Sequence, residues 1–308
     1  MRTELDSPAY ATQPTVDHHA RKLRFLPPPT ARGLEGHGLA DILLQEPMML
    51  HDPDWRSPPF PEPDMSAASV QIWRLRLDDA PFEALRPLTV PAEHDRARQF
   101  QFEADQHRHL AGRGLARATL ASRIGCTPRE LSIVEDPDGK PRLDGEFGDD
   151  SALEFNVAHA ADTVVVALSR EHPVGIDVEP QDRADAPEDL ARRVLTDAER
   201  RRWRALPATD RAAVFIHLWT CKEAFLKATG TGLRRAPNTI ECSVENKTAV
   251  ALTDADADYS PDVSASEWAL HPFRVSEDLV GAVVRQHRLP PPLLFADAPQ
   301  LIDRFSSS

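Results

Sequence analysis

The chain is poor in cysteine, has no long apolar run and carries a deficit of positive charge. Cys126, Cys221 and Cys242 are the three cysteines in 308 residues. Odd in number and far apart, they argue against a disulfide framework or a zinc site, and a reducing cytoplasmic setting is expected. No apolar run approaches the ~20 residues of a membrane-spanning helix, and the N-terminus has no apolar core of a secretory signal. Lys and Arg number 36 against 49 Asp and Glu, a formal net charge of −13. That argues against nucleic acid as a partner, because such affinity comes mostly from Lys and Arg on phosphates. The 41% apolar and 28% charged content is that of an ordinary globular protein.

What the chain has in excess at its start is proline. Residues 1–65 hold 11 of the 28 prolines. Proline removes backbone donors and blocks regular structure, so 1–65 is expected to be a weakly ordered arm. Patterned sequence begins just after Met65. A strand is expected over Ala68–Leu77, and one long helix over 92–124, where Ala111, Leu115, Ala118 and Ala121 form an apolar stripe that Gly125 stops. Thr127-Pro128-Arg129-Glu130 is a capping box with proline at the first helical position. Val164–Leu168 and Gly175–Glu179 read as strands. Thr196 to Glu199 is a second capping box, opening a helix through Trp203, and a longer helix runs from about Asp210 to Lys227, ending near Gly230. Strands at Trp268–Val275 and Leu279–Arg285 are expected to end the fold. Mixed helix and strand with hairpin-like connections indicates an α+β class.

Five short pieces carry chemistry-capable residues. On the strand Gly175–Glu179, alternate side chains share a face, so Asp177 and Glu179 point one way while Ile176 and Val178 can enter a core. Two such carboxylates repel unless a cation or proton lies between them, and a hard ion such as Mg²⁺ takes oxygen ligands of this kind. A solvated strand end with two acids is the plainer alternative. On the following helix, Trp219, Glu223 and Lys227 are spaced by four and stack on one face. Such a Glu–Lys pair is often only a surface stabiliser, but Phe215, Leu218, Phe225 and Leu226 indicate burial, where an acid–base pair is costly. Phe155-Asn156-Val157-Ala158-His159, Gly139-Lys140-Pro141 and the basic helix face with Arg96, Arg98, His107 and Arg108 are each unremarkable alone. So is the cluster Arg200, Arg201, Arg202 and Arg204 around Trp203. It reads either as a docking patch or as a solvated face with Trp203 in the core.

In order, the pieces are Gly-Lys-Pro, Phe-Asn-x-x-His, Gly-Ile-Asp-x-Glu and Trp-x-x-Lys-Glu-Ala-Phe-x-Lys-x-x-Gly-x-Gly-Leu. The series resembles the 4′-phosphopantetheinyl transferases of the surfactin-synthetase-activating type, in the Trp/Lys-Glu-Ala subclass, over roughly residues 66–290. The resemblance implies a pseudo-dimer of two similar α+β halves, 66–172 and 173–290, with the active site in the cleft between them and 291–308 as a tail. It implies transfer of phosphopantetheine from coenzyme A to a serine of an acyl or peptidyl carrier protein, releasing adenosine 3′,5′-bisphosphate, in a monomer. By the same resemblance Asp177, Glu179 and Glu223 are ligands of Mg²⁺, for which Mn²⁺ can substitute. Glu223 takes or positions the base for the serine proton, and Lys227 lies near the pyrophosphate. Lys140 and His159 contact coenzyme A, and Arg96 and Arg108 lie near its 3′-phosphate. Ala158 stands where the family often has serine, and Glu93 falls near the place of a basic 3′-phosphate ligand.

Two other classes are compatible with parts of the pattern. A Mg²⁺-dependent phosphohydrolase would use the same acids and lysine, but has no need of Lys140, His159 and Arg108. A non-catalytic carrier-binding module would leave the shared face of Asp177 and Glu179 without a purpose.

Overall fold

The computed structural model describes residues 50–55, 69–136, 139–145, 147, 152–181, 188–245, 249–254, 267–286 and 293–306. In chain order its elements are β1 (Val70–Arg76), α1 (Phe82–Leu85), α2 (Pro91–Ala97), α3 (Glu103–Ile124), β2 (Ser132–Glu135), β3 (Pro141–Asp144), β4 (Leu153–Ala160), β5 (Thr163–Arg170) and β6 (Val174–Pro180). There follow α4 (Glu188–Val194), α5 (Asp197–Ala205), α6 (Ala208–Thr229), β7 (Ile240–Glu245), β8 (Ala249–Asp254), β9 (Trp268–Arg274), β10 (Leu279–Gln286), β11 (Leu293–Asp297) and α7 (Pro299–Ser306). The class is α+β, as expected. Among the described residues no helix is long and apolar enough to cross a membrane.

Two sheets carry the architecture, in the orders β11-β1-β5-β4 and β6-β10-β9-β8-β7, with β2 and β3 as a separate hairpin. The layers run helix, sheet, sheet, helix. On the outer face of the first sheet, Trp73, Leu75, Val164, Val166 and Leu168 pack against Leu110, Leu115 and Ala118 of α3. On the outer face of the second, Val280, Ala282, Val284, Trp268 and Leu270 pack against Phe215, Trp219 and Phe225 of α6. Between the sheets lie Ile72, Val165, Ala167, Ile176, Val178, Phe273 and Val283. This explains the unbroken apolar run of β5: a strand buried on both faces has no need of polar alternation.

The capping boxes and glycine stops fall where the sequence places them. Gly125 (φ 83°) and Gly230 (φ 68°) end α3 and α6 in the left-handed conformation that glycine adopts without strain. Thr196 caps α5, its hydroxyl accepting from Glu199 N–H at 3.1 Å while Glu199 accepts from Thr196 N–H at 2.8 Å. The box at Thr127 supports only a single 3₁₀ turn, Pro128–Glu130.

Three expectations are corrected. The helix expected over 92–124 is two helices, because α2 folds back on α3 so that buried Glu93 meets Arg117. Arg117 Nε lies 3.0 Å from both carboxylate oxygens, and its Nη1 donates to Pro128 O and Leu131 O at 2.9 and 2.8 Å. Residues 98–102 contain no proline or glycine, so nothing in the local pattern marks the break. Glu93, which falls near the place where the family has a basic 3′-phosphate ligand, is a buried acid paired with Arg117.

The fold also does not end at β10. Instead of a tail, β11 pairs in parallel with β1, Ile72 opposite Phe295, and Leu301 and Ile302 of α7 enter the core around α3. Nor is all of the arm loose. His51 O accepts from Arg274 N–H at 2.8 Å, and Trp55 packs edge-on to Phe295 with its ring under the Arg74 guanidinium, 4.2 Å away. The rest of the expected arm lies outside the described residues.

Candidate active site

Strand β6 and helix α6 build the site, and one glycine sets their distance. A Cβ on Gly175 would run into the carbonyl of Ala224 and the backbone nitrogen of Ala228, so only glycine lets the helix lie directly on the strand. Asp177 and Glu179 follow on the same face of β6, while Val174, Ile176 and Val178 turn into the core between the sheets. The alternation expected from the sequence is what the structure contains.

The helix answers with the face that carries Trp219, Glu223 and Lys227. Trp219 Nε1–H donates to Glu179 Oε1 at 2.8 Å. Lys227 Nζ donates to Asp177 Oδ1 at 2.7 Å and to Ile176 O at 3.2 Å. Residues 219 and 227 thus bracket the two acids, and Glu223, one turn from each, faces the interval between them. Lys227 can reach back along the helix because side chains lean toward the helix N-terminus.

All three carboxylates are buried: Asp177 and Glu179 are 2% exposed and Glu223 5%. A solvent-facing acid pair is therefore excluded. Asp177 Oδ2 is buried without a hydrogen-bond partner among the described residues, although such atoms are normally satisfied. No group of three His, Cys, Asp or Glu side chains among the described residues closes on one point as a metal cage. Lys227 and Trp219 hold two of the acids instead.

Lys222, between these positions in sequence, does something different. Fully buried, its Nζ lies 2.5 Å from Glu199 Oε2 and donates to Val194 O at 2.7 Å. Glu199 also accepts from Cys242 N–H at 2.9 Å. This pair fastens α5, α6 and β7 together and touches none of the acids of the site. The thiols of Cys221 and Cys242 lie beside it; burial pushes Cys221 up to about 12 and Cys242 well above the ordinary thiol value, which disfavours the thiolate, the nucleophilic form.

The remaining sequence-derived residues form a second group and a bridge. Arg108 Nε donates to Ala161 O at 2.7 Å, and its Nη1 bonds Asp105. Arg108 thereby reaches the β4–β5 turn, next to which His159 sits exposed at the end of β4. Arg96 is exposed, with Nη1 2.6 Å from Gln99 Oε1 and its guanidinium 5.8 Å from the Phe100 ring centroid; that ring in turn packs on His109 of α3. Arg108 thus lies beside the turn that follows His159, while Arg96 reaches α3 only through Phe100 and His109.

Lys140 belongs with the first group. The turn after β2 sends its Nζ to Val174 O and Ala228 O, both 3.3 Å away, at the start of β6 and the end of α6. Burial lowers its pKa from the usual lysine value, against an opposite pull from Glu154 and Asp136. Of the arginine cluster around Trp203, the structure describes the packing and the ion pairs. Trp203 is in the core, and Arg200, Arg202 and Arg204 pair with Asp197, Glu241 and Glu188.

Asn156, within Phe-Asn-x-x-His, has no role that the motif alone assigns, although a polar residue among the apolar positions of a strand is itself a signal. Its Oδ1 accepts from Ile176 N–H at 2.9 Å, joining β4 of one sheet to β6 of the other. His159 is three residues farther along β4, ~10 Å at strand rise.

A family model described as the 4′-phosphopantetheinyl transferase superfamily matches residues 173–284, and one described as 4′-phosphopantetheinyl transferase, N-terminal, matches 78–171. Among curated proteins, the 4′-phosphopantetheinyl transferase HetI of a Nostoc species is 33% identical over 181 residues, covering 58% of this chain and 76% of the relative. A phosphopantetheinyl transferase of a Thraustochytrium species is 31% identical over 206 residues, covering 61% and 70%. Among solved structures, the Thermotoga maritima holo-[acyl-carrier-protein] synthase aligns over 38% of this chain and 64% of its own, at 27% identity and a TM-score of 0.29.

Proposed function

Since the chain belongs to the 4′-phosphopantetheinyl transferase superfamily, we propose that it moves phosphopantetheine from coenzyme A to a carrier-protein serine at the β6–α6 site. The phosphopantetheinyl transferase activity and the use of coenzyme A are those of the family. The acceptor serine, the divalent ion, the residue roles, the monomeric state and the cleft between two similar halves are our reading. The observation that carries it is the pair of bonds Lys227–Asp177 and Trp219–Glu179, which puts the Glu223 face of α6 on the acid face of β6.

The three acids do not close on one point as a cage, but the chemistry of the donor set is that of a hard divalent cation. Asp177, Glu179 and Glu223 offer carboxylate oxygens only, and one of these, Asp177 Oδ2, is buried without a partner among the described residues. These three residues would hold Mg²⁺, which when bound supplies charge stabilisation to the pyrophosphate oxygens. Glu223 would take the proton of the attacking serine hydroxyl, or position the base that does. The serine oxygen forms a bond to the β-phosphorus of coenzyme A. The bond from that phosphorus to the bridging oxygen breaks, and adenosine 3′,5′-bisphosphate leaves. Lys227 offsets the charge that grows on the departing phosphate. Arg96, Arg108 and His159, a strand segment away on the α3 side, would receive the 3′-phosphate end, where arginine makes charge-assisted hydrogen bonds. Lys140, already bonded to two carbonyls, serves this reading by holding the strand and helix in place.

Mass spectrometry of an apo carrier protein incubated with the enzyme, Mg²⁺ and coenzyme A tests the reaction. A gain of one phosphopantetheine on the acceptor serine is expected. Its absence across acyl and peptidyl carriers would overturn the assignment.

The role of Lys227 has its own test. Lys227→Ala is expected to lower kcat by about a hundredfold while KM for coenzyme A changes by less than about threefold, because a charge that matters as the leaving group departs acts in the transition state. A rise in KM alone would make Lys227 a ground-state contact.

A further inference from the structure

Among the described residues, strand β6 is the edge of its sheet, paired with β10 on one side only. An edge strand presents unpaired backbone groups, and buried ones must be met by something. Here single side chains from separate elements meet them. Lys140 Nζ reaches Val174 O at 3.3 Å, Asn156 Oδ1 reaches Ile176 N at 2.9 Å, and Lys227 Nζ reaches Ile176 O at 3.2 Å. Lys227 lies on the helix that covers the site, but Asn156 comes from β4 of the opposite sheet. Asn156 is 5% exposed and Ile176 fully buried, so water does not replace this bond. The residue after Ile176 is Asp177, and one lysine bonds both Ile176 O and the Asp177 carboxylate.

We infer that Asn156 is a positioning residue for the transfer reaction: its amide oxygen fixes the Ile176 peptide and, through it, the depth at which Asp177 and Glu179 stand against α6. The first sheet thereby contributes to the geometry of acids carried entirely by the second. The bond uses only the oxygen of Asn156, since a backbone N–H needs an acceptor. The inference rests on the assignment of Asp177 as a functional acid made above, and the experiment separates the two.

Asn156→Leu keeps the branched shape, though it is bulkier, and deletes the acceptor; Asn156→Asp keeps an oxygen at the same place. Steady-state transfer to a carrier protein is measured for each across a Mg²⁺ titration, with thermal unfolding alongside. Asn156→Leu is expected to lower kcat by at least about tenfold, as small misplacements of reacting groups do. It should also raise the Mg²⁺ concentration at half-maximal rate several-fold, with KM for coenzyme A little changed. Asn156→Asp is expected to recover most of the turnover. Equal losses in both variants, or a lower melting temperature with kcat and Mg²⁺ dependence at wild-type values, would overturn the positioning role. If Asn156→Leu does not fold, Asn156→Asp decides alone: a loss of kcat as large as that expected for Leu overturns the role, and near-normal turnover upholds it. Asp177→Asn in the same assay is the control on the underlying assignment, since normal turnover there defeats the acid reading whatever Asn156 does.

Discussion

Asp177→Asn and Glu223→Gln are each expected to reduce phosphopantetheine transfer by at least about a hundredfold at saturating Mg²⁺, with little change in melting temperature. Both substitutions preserve side-chain volume, so the packing of β6 on α6 is retained. What is removed is negative charge. For Asp177 that charge is shared between Lys227 at 2.7 Å and a second oxygen that has no protein partner among the described residues. Loss of a ligand to a catalytic ion removes several kcal/mol of stabilisation, and each ~1.4 kcal/mol is tenfold in rate. For Glu223 the amide also removes the group proposed to take the serine proton or to position its base. Near-wild-type turnover of either variant, measured by radiolabel or mass transfer to a carrier protein, would defeat the assignment of that residue.

The second large effect falls on stability and on the adjacent residue. Lys222→Met is expected to lower the melting temperature by roughly 10 °C. Lys222 is fully buried and its ammonium is 2.5 Å from Glu199. Removing one partner of a buried pair leaves the other charge uncompensated, at about 3–5 kcal/mol, and each kcal/mol shifts the midpoint by ~2–4 °C in a chain of this size. Below its midpoint, the folded Lys222→Met enzyme should turn over at close to the normal rate, because Lys222 touches none of the three acids. Circular dichroism on heating checks the shift; an unchanged midpoint would show that the pair contributes nothing net. Lys222 and Glu223 are therefore expected to fail in opposite ways, one by unfolding and one by inactivity.

That contrast shows how far the sequence could be read. The Trp219–Lys227 segment announces a buried helix with a polar face, and a spacing of four says which side chains share it. It does not say that Lys222, 100° around the helix from Glu223, leaves that face to find Glu199. The partner is 23 positions away, and in the sequence it shows only as the second half of a capping box. The split of the helix expected over 92–124 has the same origin, since the break is imposed by the Glu93–Arg117 contact and not by a local breaker. Likewise β11 and α7 look like a tail until β1 supplies an edge to pair with.

Local rules that need only neighbours in the chain were legible in advance. The alternation that puts Asp177 and Glu179 on one face of β6 comes from the two-residue period of a strand. The ends of α3 and α6 come from Gly125 and Gly230, which can adopt positive φ. The apolar character of β5 comes from burial on both faces. The tertiary structure alone decided which distant groups meet: Asn156 with Ile176, Lys140 with Val174 and Ala228, and Arg108 with the carbonyl of Ala161. Periodicity fixes the direction of a side chain relative to its own element. The partner at the end of that direction depends on how separate elements pack to bury their apolar faces, and no window of sequence contains that information.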